Sequence, residues 1–483
     1  MKRTFFSILL VLSTFVAVPL VVAETVQRPP NVLFIAVDDM RPDLGCYSHA
    51  LVKSPNIDRL ASQGTLFEKA YCMVPICGAS RSSLMTSIRP KHNRFVGGHI
   101  YTSAETPNAI TINRHFRNHG YAAICNGKVF HFADDDEGGW CEPNWRPRTQ
   151  TYALQESRDL IRTVQLNLDG RLVESRMGPP WESADVPDNF YADGQILEKS
   201  IADMRRLAEG EKPFFLAVGF LKPHIPFVAP KRYWDMYNAE EIKLPENFET
   251  VPKNVPRQAI HMSNEFRVFT GIPQEGPISA EAGKKLIHGY YACISYIDAL
   301  IGRLLDELDE LGLSDNTIVV LWADHGFLLG EHTMWGKLAV FENAMRVPLI
   351  FRLPGQTEPI RVTTPVELID IYPTLCELVG LPKPPSNQLQ GRSIVPLLRG
   401  ETVTEKRYAI GRYHSATTIT DGRYRYSEFR TNRGIGNLVA RMLYDHKVDP
   451  RENVNVVDEP EKAAIVEELA RELNRVMQLT DQW

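Results

Sequence analysis

A cysteine followed four residues later by an arginine opens the stretch Ile76–Pro90, Ile-Cys-Gly-Ala-Ser-Arg-Ser-Ser-Leu-Met-Thr-Ser-Ile-Arg-Pro. Gly78, Ala79 and Ser80 separate Cys77 from Arg81, and apolar helical spacing follows at Leu84, Met85 and Ile88. That pattern predicts Cys77 at or just before a helix N-terminus, where free N–H groups and the helix dipole favour an anionic ligand. Arg81, one turn on, adds a planar donor fork. A buried cysteine beside a surface arginine would give the same short pattern, so the other polar clusters decide. Asp38-Asp39, Lys128 with His131, Lys222 with His224, and Asp324-His325 each stand just past an apolar run. Adjacent carboxylates repel unless a cation neutralises them. Three carboxylates with oxygen or nitrogen donors suit a hard divalent cation, calcium or magnesium. Zinc suits so few His and Cys ligands less well. Lysines, an arginine and histidines around such a cation suit a tetrahedral oxyanion ester. They would offset charge developing in the transition state, and a histidine would protonate the leaving alcohol.

The elements that must position these groups are legible as alternating strands and helices. Asn31–Val37, Gly120–Cys125, Pro213–Gly219 and Thr317–Trp322 are continuous apolar runs, as expected of strands buried on both faces. Between them, 54–62, 112–118, 193–209 and 279–312 carry helical patterns. The last is apolar at Leu286, Tyr290, Ile294, Ile297, Ile301, Leu304 and Leu308. Alternation makes a parallel sheet the default, with every carboxyl end on one edge, where open α/β sheets bind ligands. The polar clusters and Cys77 are therefore expected in one crevice. Val347–Phe351 is predicted as a fifth strand and 365–379 as a helix. Residues 133–190 and 242–278 show little periodicity and are expected as long loops that set selectivity. Pro382–Gln390, with three prolines, is the expected linker to a β-rich 408–426 region and a closing helix at 458–477.

The 483 residues are 43% hydrophobic and 23% charged, ordinary for a globular enzyme large enough to hold a second, smaller domain. A net charge of −5 offers no basic footprint, so no nucleic-acid partner is expected. Lys2 and Arg3 precede an apolar run from Phe5 to Val22, and Val21-Val22-Ala23 offers small residues before Glu24. Residues 1–23 are expected to be a secretory signal peptide. A membrane anchor is the alternative, since the run approaches spanning length. Export without a stable membrane anchor is the expectation. Seven cysteines leave one thiol over if the rest pair, which is compatible with Cys77 being set apart and equally with several buried free thiols.

Asp38-Asp39, Cys77-Gly-Ala-Ser-Arg81 with Arg89-Pro90 behind it, Gly127-Lys128 and Asp324-His325-Gly326 together resemble the formylglycine-dependent type I sulfatases. Within that family, Gly127-Lys-Val-Phe-His131, Leu221-Lys-Pro-His-Ile-Pro226, Asp324-His325 and Trp335-Gly-Lys337 resemble the iduronate 2-sulfatase branch. Tyr444-Asp445 with Asp449-Pro-Arg-Glu-Asn453 is similar to the family's C-terminal signature. The resemblance spans nearly all of the mature chain. It departs at Ala79, where the usual Cys-x-Pro-Ser-Arg has proline, and this bears on conversion of Cys77. Asp324-His325 stands where many sulfatases have Asp-Asn; the iduronate 2-sulfatase branch is similar in using His.

The resemblance implies an α/β, alkaline-phosphatase-like fold: a large mixed, mostly parallel sheet flanked by helices, with a smaller C-terminal α+β subdomain. The corresponding divisions are a catalytic domain at 24–381 and a C-terminal subdomain at 391–483. It implies that a formylglycine-generating enzyme oxidises Cys77 during maturation. The aldehyde hydrate then offers one hydroxyl to attack sulfur and a second whose deprotonation releases sulfate. Asp38, Asp39, Asp324 and His325, with the modified Cys77, would hold one calcium ion. Arg81 and Lys128 would steady the nucleophile and sulfate, and His131 would be the base. His224 and Lys337 would contact the sulfate or protonate the leaving group, and Lys337 would also meet a uronate carboxylate. The implied substrate is a sulfated carbohydrate, with a 2-O-sulfated uronate favoured, in a periplasmic, extracellular or lysosomal-type compartment. Three alternatives stand beside it: a sulfatase for another sulfated polysaccharide, a phosphate or phosphonate ester hydrolase of the same superfamily, and a non-catalytic carbohydrate-binding protein whose Cys77 is never converted. Two-metal phosphatases usually need more His and Asp ligands than this sequence offers.

Overall fold

A computed structural model describes residues 28–162, 164–166, 172–174, 177–384 and 388–480. The expected signal segment, 1–23, lies outside the described residues. The elements that frame the site are, in chain order, β1 (Asn31–Val37), β2 (Thr65–Phe67), α1 (Cys77–Thr86), β3 (Ala122–Gly127), α2 (Ala192–Ala208), β4 (Phe214–Phe220), α3 (Ala280–Glu310), β5 (Thr317–Ala323), β6 (Leu349–Arg352), β7 (Ile360–Val362) and α4 (Ile371–Leu378). They are followed by β8 (Ala409–Tyr413), β9 (Ala416–Thr420), β10 (Tyr424–Arg430), β11 (Leu438–Asp445) and α5 (Ala463–Thr480).

The main sheet runs β7-β2-β6-β5-β1-β4-β3. One side of it is the block β5-β1-β4-β3, running to the sheet edge, in which every neighbouring pair is parallel. These are the four apolar runs of the sequence, and every residue of β1, β4 and β5 is buried. Strands covered on both faces need no polar alternation, which is why they are continuously apolar. The expected fifth strand lies beside β5 but runs antiparallel to it. No helix intervenes in the 324–348 connection long enough to carry the chain back, and an antiparallel neighbour needs no crossover. Beyond it, β2 is antiparallel to β6 and β7 parallel to β2. The sheet is mixed and mostly parallel.

Helix α3 packs against α2, and Ser279 caps it by accepting the Ala282 N–H. The helix expected over 365–379 is shorter, only Ile371–Leu378. Val366 and Glu367 instead pair with Ala70 and Tyr71, and Glu367 and Asp370 cap one another in the turn before the helix.

Strands β8 to β11 form a consecutive antiparallel sheet. Helix α5 closes on it over Ile419, Tyr426, Leu443, Leu469 and Leu473. A second apolar cluster joins Leu328 and Phe341 to Phe429, Met442 and Tyr444, so the C-terminal sheet shares core with the main body. Gln388 is buried, and its amide donates to the carbonyls of Thr86 and Ile110, tying the proline-rich segment to the end of α1. Among the described residues no helix is long and apolar enough to cross a membrane.

Candidate active site

Cys77 is the first residue of α1, entered through an extended Ile76, and every residue of α1 is buried. The helix starts against a loop with no room to spare. A Cβ on Gly78 would fall 2.1 Å from the Gly98 carbonyl oxygen. One turn on, Arg81 is wholly buried, not at the surface. Its Nε donates to Asp324 Oδ2 at 2.9 Å and its Nη2 to Asp38 Oδ1 at 2.8 Å. Its Nη1 donates to the carbonyls of Lys128 and Val129. The guanidinium fork therefore locks the exits of β1, β3 and β5 to the first turn of α1.

Those exits need unusual backbone. Asp39 has a left-handed φ of 61°, costly for a residue with a Cβ. Two bonds hold it: its N–H donates to Asp324 Oδ1 at 3.1 Å, and its carbonyl accepts from the Tyr290 hydroxyl at 2.7 Å. Gly127 ends β3 with φ +79°, and a Cβ there would lie 2.1 Å from the Gly219 carbonyl oxygen. That turn brings Lys128, whose N–H donates to Gly219 at 2.8 Å, over the sheet edge so that its ammonium pairs with Asp38.

Cys77 Sγ lies at the centre. His325 Nε2 is 3.3 Å away and Asp39 Oδ1 is 3.8 Å away, a ring nitrogen of His224 lies within 4.8 Å of the sulfur, and His131 is close enough to act on the thiol. Lys337 Nζ donates to both oxygens of Asp39, at 2.8 and 2.9 Å. Glu265 Oε1 sits 3.0 Å from Lys337 Nζ and 3.3 Å from His224 Nε2. His224 and Glu265 retain about a quarter of their side-chain exposure, whereas Asp39 has none, so they mark the mouth of the site.

The electrostatics set Cys77 apart. Burial pushes the thiols of Cys125 and Cys293 up to about 12. Burial acts on Cys77 in the same direction, but Lys128, Lys337 and His325 outweigh it and hold that thiol well below its ordinary range. Asp38 is likewise buried, yet Lys128 and Arg81 keep it well below the usual carboxylate range. Burial prevails at the other two acids: Asp39 is raised despite His224 and Lys337, and Asp324 rises to about 7 against Arg81 and His325. The histidines separate. Burial would lower His224, but Asp39 raises it to about 10. At His131 the interaction with Cys77 acts upward, and burial with Lys128 overrides it to hold the ring down. His325 rises to about 9 against its burial, through Asp324, Cys77 and Asp39.

Ligand atoms of Asp39, Cys77, Asp324 and His325 lie within 4.8 Å of one another, as do those of Asp38, Asp39, Cys77 and His224. Buried carboxyls that hold protons tightly are acids short of positive charge. Each group offers two carboxylates and one imidazole beside Cys77, and three carboxylates shared between them fit a hard divalent cation.

The ten residues to which the resemblance assigns a role all fall in or beside this cluster: Asp38, Asp39, Cys77, Arg81, Lys128, His131, His224, Asp324, His325 and Lys337. Lys222 does not. Its ammonium turns back to the carbonyls of His224 and Pro226 and so shapes the turn that presents His224. Asp193 supports the same turn by accepting the Leu221 N–H at 2.5 Å. Lys337 is already flanked by two carboxylates, which leaves it less free to meet a uronate than the sequence suggested. Glu265 was missed. It lies in the 242–278 stretch, where no periodicity or motif marks it. All seven cysteines are free, so their odd count carries no information about Cys77.

A buried, activated cysteine at a helix start, ringed by acids, lysines and imidazoles at one sheet edge, is the site of an ester hydrolase. The sulfatase family model matches residues 30–381, and the N-sulphoglucosamine sulphohydrolase C-terminal model matches 330–479. The chain belongs to the sulfatase family and is a sulfuric ester hydrolase. It is 36% identical over 392 residues to iduronate 2-sulfatase of Homo sapiens, covering 74% of this chain and 70% of that protein. The phosphonate monoester hydrolase from Silicibacter pomeroyi superposes with a TM-score of 0.72 at 25% identity, over 93% of this chain and 96% of its own. A solved 2-O GAG sulfatase superposes with a TM-score of 0.71 at 23% identity, over 94% and 93%, and shows the shared fold. The fold is the alkaline-phosphatase-like one.

Proposed function

We propose that this chain is an exported sulfatase that removes a 2-O-sulfate from a uronate residue of a sulfated carbohydrate, using formylglycine made from Cys77 and one calcium ion. One observation carries the reading: Cys77 stands at the helix start where both candidate ligand groups, the imidazoles and the lysines converge. The likeness to human iduronate 2-sulfatase and the fold shared with a 2-O GAG sulfatase support the choice of sulfate position. Residues 24–381 would be the catalytic domain and 391–483 its C-terminal subdomain, with 1–23 removed on export and a formylglycine-generating enzyme acting during maturation.

Formylglycine, as its hydrate, supplies a hydroxyl nucleophile and a second hydroxyl that an unmodified cysteine lacks. Calcium held by Asp38, Asp39, Asp324, His325 and the modified Cys77 would offset the acid cluster and polarise sulfate oxygens. The other roles follow from the site's charges. Arg81 and Lys128 hold the strand exits together and present positive charge to the nucleophile and the sulfate. His131, held down and acting on the Cys77 side chain, suits a base that takes the hydroxyl proton. His224, raised to about 10 and standing at the mouth, suits the acid that returns a proton to the leaving sugar alcohol. Groups with pKa values pushed apart in this way divide acid and base work at one pH. Lys337, paired with Asp39, would contribute positive charge toward the sulfate, and Glu265 steadies Lys337 and His224.

The test is the mass of the peptide containing Cys77 after co-production with a formylglycine-generating enzyme. An aldehyde at position 77 is expected despite Ala79. A wholly unmodified cysteine under conditions that convert a Cys-x-Pro-Ser-Arg control would overturn the proposal.

A further inference from the structure

We propose that Tyr101, Phe132 and His99 form a sugar-stacking subsite at the mouth of the site, which takes the pyranose ring next to the sulfated residue. The inference rests on the sulfatase reading above and extends it from the sulfate to the glycan.

The subsite is continuous with the reacting centre. His131, which acts on the Cys77 side chain, is followed directly in the chain by Phe132, and the two rings stand perpendicular with centroids 4.8 Å apart. His99 meets His131 edge-on at 5.0 Å and Phe132 at 6.1 Å. Tyr101 stacks on the far face of this group, 4.5 Å from Phe132 at an interplanar angle of 16°. Tyr101 as a residue remains 38% exposed, and His99 is exposed as well. The parts of Tyr101 and His99 that stay in water leave apolar ring surface beside the crevice. The apolar C–H face of a pyranose is a partner that would cover them.

The platform is braced. The loop bearing His99 and Tyr101 is tied to the loop bearing Phe132 by Asp135, which accepts from the Thr102 N–H at 2.7 Å and the Ser103 N–H at 3.3 Å. The Tyr101 hydroxyl donates to Asp134 at 3.2 Å. Rings held by two cross-tied loops lose little freedom when a ligand arrives. Asp134 also defines the ligand. An exposed carboxylate at the platform's edge accepts from sugar hydroxyls and repels anions, so the stacked ring is one without a sulfate or carboxylate on that edge.

The measurement compares two substrates on formylglycine-loaded protein: the methyl glycoside of a 2-O-sulfated uronate, and the same uronate linked to an unsulfated hexosamine. For Tyr101→Ala, KM for the disaccharide is expected to rise about two- to tenfold, with kcat/KM for the methyl glycoside unchanged. Tyr101→Trp should restore the disaccharide KM. An equal loss on both substrates, or no change on the disaccharide, overturns the subsite. Absence of wild-type turnover of both substrates overturns the uronate sulfatase reading itself, and the subsite falls with it.

Discussion

Replacing Arg81 by lysine should cost far more than the retained charge suggests. In the native site the guanidinium serves Asp38, Asp324 and two backbone carbonyls at once, all without solvent. A lysine ammonium is a single donor centre on a flexible stem and reaches one of those carboxylates, not both. Asp38 keeps the Lys128 ammonium, so the carboxylate that loses its partner is Asp324, buried beside Asp38 and Asp39. Removing one partner of a buried ion pair costs about 3–5 kcal/mol. Unfolding entropy of about 2.1 cal/mol/K per residue gives roughly 1 kcal/mol/K for a chain of 483 residues, so the melting temperature should fall by about 3–5 °C. Because the same fork fixes the exits of β1, β3 and β5, sulfate release should fall below a hundredth of wild type, about 3 kcal/mol of transition-state stabilisation. Calorimetry and ion-chromatographic sulfate detection on matched, formylglycine-loaded samples read both. A variant melting within about 1 °C of wild type and releasing sulfate within twofold would refute the reasoning that Arg81 organises the site.

Three further outcomes are expected. Gly127→Ala places a Cβ 2.1 Å from the Gly219 carbonyl at a positive φ, so it should destabilise by about 1–3 kcal/mol and lower kcat through displacement of Lys128; unchanged melting would contradict the close approach. Glu342 is buried, which acts upward, but Arg425 and His446 pull its carboxyl down to about 2. A folded pKa below the ordinary value contributes stability that is present above about pH 4.5 and lost as pH falls toward 2, here about 3 kcal/mol. Glu342→Gln should therefore differ most from wild type at neutral pH and converge with it in acid; a constant difference from pH 7 to 3 would contradict the assignment. Chelation of divalent cations should lower the melting temperature by about 3 °C when the protein had been saturated at a hundred times its dissociation constant, with calcium restoring both stability and turnover; indifference to chelator in activity and melting would remove the cation from the account.

What the sequence disclosed and what it hid follow from one physical distinction. β1, β4 and β5 announced themselves because strands buried on both faces are apolar without interruption. Their parallel order then forced Asp38-Asp39, Lys128, His224 and Asp324-His325 onto one edge. The cysteine motif placed the helix start. Contacts that depend on where a loop lands stayed hidden. Glu265 reaches Lys337 and His224 from a stretch with no periodicity, and Asp39 turns left-handed only because Tyr290 and Asp324 are there to hold it. β6 had a strand's composition, yet its direction was set by the lack of a crossover helix. Lys222 stood at a strand end like its catalytic-looking neighbours, but its ammonium found backbone carbonyls instead.

The most direct test of the central claim is sulfate release from a 2-O-sulfated uronate disaccharide, with wild-type and Cys77→Ala proteins each co-produced with a formylglycine-generating enzyme. Calcium-dependent release by the wild type alone is the expected result. Equal release by Cys77→Ala would contradict Cys77 as the source of the nucleophile. No release by a wild type whose peptide mass shows formylglycine would contradict the 2-O-sulfated uronate as its substrate.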